Sequence, residues 1–282
     1  MSEFLQAVST SVLLQHALLA GLIASVACGV VGSYVVARRI TYIAGGVAHC
    51  TLGGMGVARY LDVVHGWTAM TPLVGAVVAA LAAAIIIGWV SLRAKQREDT
   101  VISALWAIGM AVGVLFIART PGYSEDLMSY LFGNILLVSG ENLWLILGLD
   151  VVVVGIGVLW YNKFLAVCFD EEFARLRGLS VEFYYLLLLC LTALTVVVLV
   201  TVVGLVLVIA LLTLPVAVAS HFVSRLWQVM VLAAVLSATL TTAGLALSYG
   251  PELPPGATTV ALAGGLYLLT IAAFRFLSPA RG

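Results

Sequence analysis

Nine apolar runs, each about long enough to cross a bilayer, follow one another along this 282-residue chain with little between them. They cover roughly residues 12–37, 43–64, 72–92, 100–119, 143–162, 183–202, 204–224, 228–248 and 257–277. A hydrocarbon core about 30 Å thick is spanned by about 20 helical residues. Lipid offers the backbone no hydrogen-bond partners, so runs of this length must be helices. Only 9% of the residues are charged, against about 25% in soluble domains, and a chain so poor in charge cannot cover itself with a water-facing surface. The expectation is an all-α polytopic membrane protein, a single transmembrane domain over residues 1–282 with nothing soluble attached.

The sixth and seventh runs are nearly continuous, and Gly204 is the natural place to divide them. A broken or re-entrant helix near Pro215 would reconcile their combined length, because proline removes a ladder hydrogen bond. No Lys or Arg precedes the first run, which is also too long for a secretion-signal core, so no cleavable signal is expected. Cys28, Cys50, Cys168 and Cys190 fall in apolar runs or at a loop edge, and no disulfide is expected among them. The net charge is zero, so no basic patch points to nucleic acid.

Positive charge sets the orientation. With the N-terminus outside, the inner loops and C-terminal end hold Arg38, Arg39, Arg93, Lys95, Arg97, Lys163, Arg175, Arg177, Arg225, Arg275 and Arg281, which is 11 of the 13 basic residues. Arg59 and Arg119 remain outside. The outer face then carries two connections. Residues 120–142 contain an amphipathic stretch too short to span, which reads as an interfacial or re-entrant helix. Residues 249–258 form a proline-rich turn.

No nucleotide-binding loop of the form G-x-x-x-x-G-K-[ST] occurs, nor H-E-x-x-H, nor G-x-S-x-G. The chain is not expected to be an enzyme, and any ATP-driven process needs another subunit to supply hydrolysis.

One inner segment reads as a folded element. In "DEEFARLRGL" (170–179), Asp170, Glu171 and Glu172 stand at the start, Arg175 and Arg177 at the end, and Gly178 follows. Acids first and bases last complement the helix dipole, and glycine suits the position just past a helix end. Phe173, Leu176 and Leu179 give one apolar side. The pattern fits a loop helix lying on the membrane surface, and it fits a knob that docks into a cytoplasmic partner.

The second run holds an imidazole. Gly45, His49, Gly53 and Gly56 lie at i, i+4, i+8 and i+11, one narrow stripe that lets another helix come close. His49 therefore sits on a packed or pore-facing side and not in lipid. An ionisable group inside a membrane is a functional candidate, and neutral imidazole is a common ligand for transition metals. A structural histidine bonded to a neighbouring helix fits the same stripe.

Five ordered motifs complete the reading. They are "GSYVVARRITYIAGGVAHCTLGGMGVA" (32–58), "SYLFGNILLVS" (129–139), "DEEFARLRGLSV" (170–181), "VVGLVLVIALLTLPVAVAS" (202–220) and "ELPPGATTVALAGGLYLL" (252–269). Together they resemble the ABC-3 family, the membrane permeases of ATP-binding-cassette importers for divalent metals such as zinc, manganese and iron. The last two are also similar to the fold of vitamin B12 and siderophore permeases, the type II importers. The resemblance implies a permease dimer, homodimeric or heterodimeric, in a bacterial inner membrane. It implies two cytoplasmic ATPase subunits and an extracytoplasmic metal-binding protein. It makes residues 170–179 the coupling helix, with Glu171, Glu172, Phe173, Arg175, Leu176 and Gly178 facing the ATPase. It makes His49 the ion-binding histidine of the pore and the Gly45, Gly53, Gly56 stripe its lining.

The chain departs from the family where many members carry Asp four residues before the histidine; here Gly45 stands there. Losing a hard oxygen ligand argues against manganese, which prefers oxygen-rich sites. Cys50 adjoins His49 and offers a softer thiolate, but neighbouring helical residues point about 100° apart. Asp150, inside the fifth run, is a second acidic candidate or a structural contact. His16 and His65 lie near outer ends, and His221 near an inner end, where anchoring is the simpler role. Thr192, Thr195, Thr201, Thr241 and Thr242 can bond back to their own helices. The competing readings are the same machine moving a metal chelate (haem or a siderophore), and a non-transporting membrane assembly protein.

Overall fold

The computed structural model describes residues 2–94, 98–121, 140–251 and 253–277. Among them twelve α-helices follow in order and no strand occurs. They are α1 (Ser2–Thr10), α2 (Val12–Ala37), α3 (Tyr42–His65), α4 (Pro72–Trp89), α5 (Glu98–Arg119), α6 (Gly140–Leu159), α7 (Tyr161–Phe169), α8 (Glu171–Leu176), α9 (Val181–Val203), α10 (Leu205–Phe222), α11 (Leu226–Tyr249) and α12 (Pro255–Leu277). The amphipathic stretch expected within 120–142 and the 129–139 motif fall on residues 122–139, outside the described ones, as do Lys95, Arg97 and Arg281.

Seven helices (α2, α4, α5, α9, α10, α11 and α12) are each long and apolar enough to cross a bilayer. The fifth apolar run is not one straight span. It breaks at Trp160, whose backbone leaves helical geometry (φ −102°, ψ 22°), and α6 and α7 meet there at 70°. Counted as one bent span, the pair is an eighth crossing. The second run, α3, is 24 residues long, but five glycines, Arg59 and Asp62 dilute its apolarity. It runs inside the bundle, packed chiefly on α4 and α5.

The division between the sixth and seventh runs does fall at Gly204, with φ +82° and ψ +167°. That backbone region is essentially open to glycine alone. Pro215 breaks nothing. α10 runs through it from Leu205 to Phe222. Neighbouring packed helices tolerate a proline inside a membrane helix. The break therefore comes from a glycine eleven residues earlier.

α2 is the central element, packed against α11, α6, α10 and α9. Its Tyr34 is fully buried, donates its hydroxyl to the Gly157 carbonyl of α6 at 2.8 Å, and packs its ring on Phe164. All four cysteines are free.

The short α1 was not foreseen, because its nine residues precede the apolar run. Its Phe4 is buried edge-on to Tyr249, with ring centroids 6.0 Å apart. The N-terminal helix thus shares an end of the bundle with the 249–258 turn. Arg38, between α2 and α3, pairs with Glu171 of α8, so that loop and α8 share an end as well.

Candidate functional site

His49 lies a third of the way along α3, 9% exposed. Its ring stacks on Trp106 of α5 at 4.6 Å between centroids and 22° between planes. Its Nδ1 is buried, and no described protein group hydrogen-bonds to it. A buried imidazole nitrogen normally finds a partner, so this atom stands ready to accept or ligate something the described residues do not supply.

The stripe beneath His49 divides in two. At Gly53 and Gly56 it is a packing seam, since a Cβ on either would stand 2.7 and 2.8 Å from the backbone oxygens of Gly109 and Gly113 on α5. Gly45 instead borders a cavity on the side away from that seam. Gly45, Tyr42, Trp106, Ile209, Thr213 and Tyr267 line a cavity of about 340 Å³ reached by α3, α5, α10 and α12. Trp106 also covers Gly45, because a Cβ there would lie 2.6 Å from the indole Cζ3. One indole therefore stacks on the histidine and fills the place above Gly45.

Cys50 turns elsewhere. Its Sγ–H donates to the Leu105 carbonyl at 3.4 Å, and it lines a separate apolar groove of about 320 Å³ between α3, α4 and α5. Asp150 is buried at 6% exposure on α6, beside Cys28 of α2, with its Oδ1 unbonded. α6 packs chiefly on α2 and α9, so the structure does not bring Asp150 to His49. Among the described residues, no three His, Cys, Asp or Glu side chains gather as a metal cluster. His65 packs edge-on to Tyr60, and His221 stacks on Phe274. Thr192, Thr195, Thr241 and Thr242 bond back to carbonyls four residues earlier.

At the other site, the 170–179 segment is a capped helix. Asp170 Oδ1 accepts from the Phe173 N–H at 2.9 Å. Gly178 takes φ +75°, and the N–H groups of Gly178 and Leu179 return to Arg175 and Ala174. Ala174 faces inward, fully buried. Phe173 and Leu176 are 47% and 87% exposed, which leaves an apolar knob open to a partner. The Arg177 guanidinium lies 4.7 Å over the Phe173 ring. Glu171 does not point away with them; it pairs with Arg38.

The sequence reading missed Trp106 and the second role of Arg38. Trp106 sits 57 residues from His49 in an unremarkable apolar run, and nothing in local spacing announces a contact between helices. Arg38 was legible only as one inner positive charge.

Helices long and apolar enough to cross a bilayer, a glycine-broken helix pair, a bent span and a capped helix at one end define a polytopic α-helical membrane bundle. The chain belongs to the ABC 3 transport family, which it matches over residues 10–274. It is 43% identical to the membrane protein slr2045 of Synechocystis sp. over 92% of this chain and 90% of that one. It is 32% identical to the manganese transport system membrane protein MntC of Halalkalibacterium halodurans, over 95% of this chain and 88% of that one. Its fold superposes on PsaBC from Streptococcus pneumoniae in complex with Fab with a TM-score of 0.84 at 28% identity, covering 95% of this chain and 94% of that one.

Proposed function

We propose that this chain is the permease subunit of an ATP-binding-cassette importer that moves a divalent transition-metal ion. The observation that carries the reading is His49: a buried imidazole in α3, inside the bundle, whose Nδ1 has no hydrogen-bond partner among the described residues. A resting structural histidine would spend that nitrogen on a neighbour. The manganese-transport name of a relative points to the same class of cargo.

One imidazole is too few for an ion. A second copy of the chain would bring its own His49 across a two-fold axis, with water completing the shell. Such a loosely completed site suits a carrier, which must release what it binds. Cys50, whose thiol is committed to a carbonyl, is outside this ligand set, and so is Asp150. With α3 counted as a ninth crossing, the chain is one membrane domain, N-terminus outside and C-terminus in the cytoplasm of a bacterium. Two cytoplasmic ATPases dock on the exposed Phe173 and Leu176 of α8, and an extracytoplasmic protein delivers the metal.

A second reading has one observation in its favour. The cavity beside Gly45 is walled by Tyr42, Trp106 and Tyr267, and aromatic walls suit a metal chelate. ATP-driven uptake into liposomes by the complete complex separates the two. Free manganese, zinc and iron salts should compete with the transported ion. Competition by an iron chelate and by no free salt would replace the ion reading with the chelate reading.

A further inference from the structure

We infer that Arg38 and Glu171 form the link that carries movement of the coupling helix into α3 and so to His49. This rests on the permease reading above and adds the route between its two sites. Arg38 caps the C-terminus of α2. Its guanidinium joins three other elements at once. Nη2 forms the ion pair with Glu171 in the first turn of α8. Nη1 donates to the Val167 carbonyl near the end of α7 at 3.1 Å. The guanidinium carbon lies 5.2 Å over the ring of Tyr185 on α9. Arginine suits this place because its planar fork can hold a carboxylate and a carbonyl while its face rests on an aromatic ring.

The loop that carries Arg38 is built to transmit displacement. Its four residues, 38–41, join α2 to α3. The Arg39 N–H returns to the Val36 carbonyl and the Ile40 N–H to that of Val35, the paired bonds of a closed helix end. Arg39 occupies the left-handed position of that motif at φ +63°, and it is the non-glycine residue with positive φ among the described ones. A side chain there is strained by the approach of its Cβ to the following carbonyl oxygen, whereas Gly178 fills the equivalent place at the end of α8 without that cost. Strained backbone persists where its surroundings over-determine it. Here the buried Ile40 and the pair of closing bonds hold it. α3 starts at Tyr42, and His49 follows seven residues later, about 10 Å along the helix. A push on α8 thus reaches the start of α3 through one ion pair and a stiff four-residue turn.

The test uses the complete complex in liposomes, with metal uptake and ATP hydrolysis measured on the same sample. Arg38→Gln, Glu171→Gln and the double variant are compared with wild type, and Arg38→Lys serves as the conservative variant. Each Gln variant should lower the number of ions moved per ATP by at least about fivefold, the lower end of typical coupling between sites. The double variant should be no worse than the worse single, since both act through one contact, and Arg38→Lys should recover part of the ratio. Melting temperature monitors folding, which does not by itself change ions per ATP. An unchanged ratio in Arg38→Gln overturns the link, and so do losses that multiply in the double variant. A wild-type complex that hydrolyses ATP and moves no metal overturns the permease reading, and the link with it.

Discussion

Trp106 and Gly45 occupy one space, and this makes a sign-reversing prediction. A Cβ at Gly45 would stand 2.6 and 3.0 Å from two indole carbons of Trp106 and 3.2 Å from Ile209 Cδ1. Carbon atoms in contact prefer about 3.5–4.0 Å, so in Gly45→Ala the indole must retreat by roughly 1 Å. Overpacking of this kind costs about 1–3 kcal/mol. Against it, alanine in place of glycine inside a helix gains about 1 kcal/mol. The net effect in the wild-type background is a loss of up to about 2 kcal/mol, the difference of those two terms. With Trp106→Ala the two indole contacts are gone and only the flexible end of Ile209 remains at 3.2 Å, so the same Gly45→Ala change should stabilise by up to about 1 kcal/mol. Thermal melts of the purified permease in detergent, read by circular dichroism, measure all four corners of this cycle. At about 2–4 °C per kcal/mol for a chain of this size, the sign change is well within reach. Equal effects of Gly45→Ala in both backgrounds would show that the indole does not fill the place above Gly45. The same geometry governs an acid at this position. Gly45→Asp alone should impair folding, while Gly45→Asp with Trp106→Ala should fold and set a carboxylate one turn below His49 on the same face.

Three further outcomes follow from the structure. Cys50→Ser should leave metal uptake close to wild type, because the hydroxyl can make the same bond to the Leu105 carbonyl; a loss as deep as that of His49→Ala would make the thiol a ligand. Gly178→Ala meets no atom within 4 Å, so its cost is the left-handed backbone alone, about 1 kcal/mol. Faster amide exchange at 171–176 should report it, and unchanged exchange would remove the role of that cap. In a cysteine-free background, single cysteines at 250–256 should react with an impermeant reagent from outside and those at 170–178 should not; the reverse pattern would invert the orientation.

Much of the fold was legible because lipid leaves the backbone so few choices. Apolar run length located the long helices, and Gly204 marked a real break because its backbone geometry is closed to other residues. Pro215 misled because a proline's effect on a helix depends on the neighbours packed around it, which spacing does not reveal. The bend at Trp160 has no local signature. The caps of α8 were readable from Asp170 and Gly178, since capping is a matter of adjacent residues. The site was legible only as far as one helix carries it. His49 and Gly45 share a face of α3, so their kinship shows in the spacing. Trp106 over both, Cys50 turned to Leu105, and Glu171 drawn to Arg38 are contacts between helices far apart in the chain, and no local pattern encodes them.

The central claim is that metal crosses the membrane past His49. Its most direct test is ATP-driven metal uptake by liposomes holding the complete complex, with wild-type and His49→Ala permease matched for folded protein and ATPase content. The account predicts that His49→Ala folds, binds its ATPase partners, and takes up metal no faster than liposomes without ATP. Uptake by His49→Ala at the wild-type rate would contradict it and place the metal path elsewhere in the bundle.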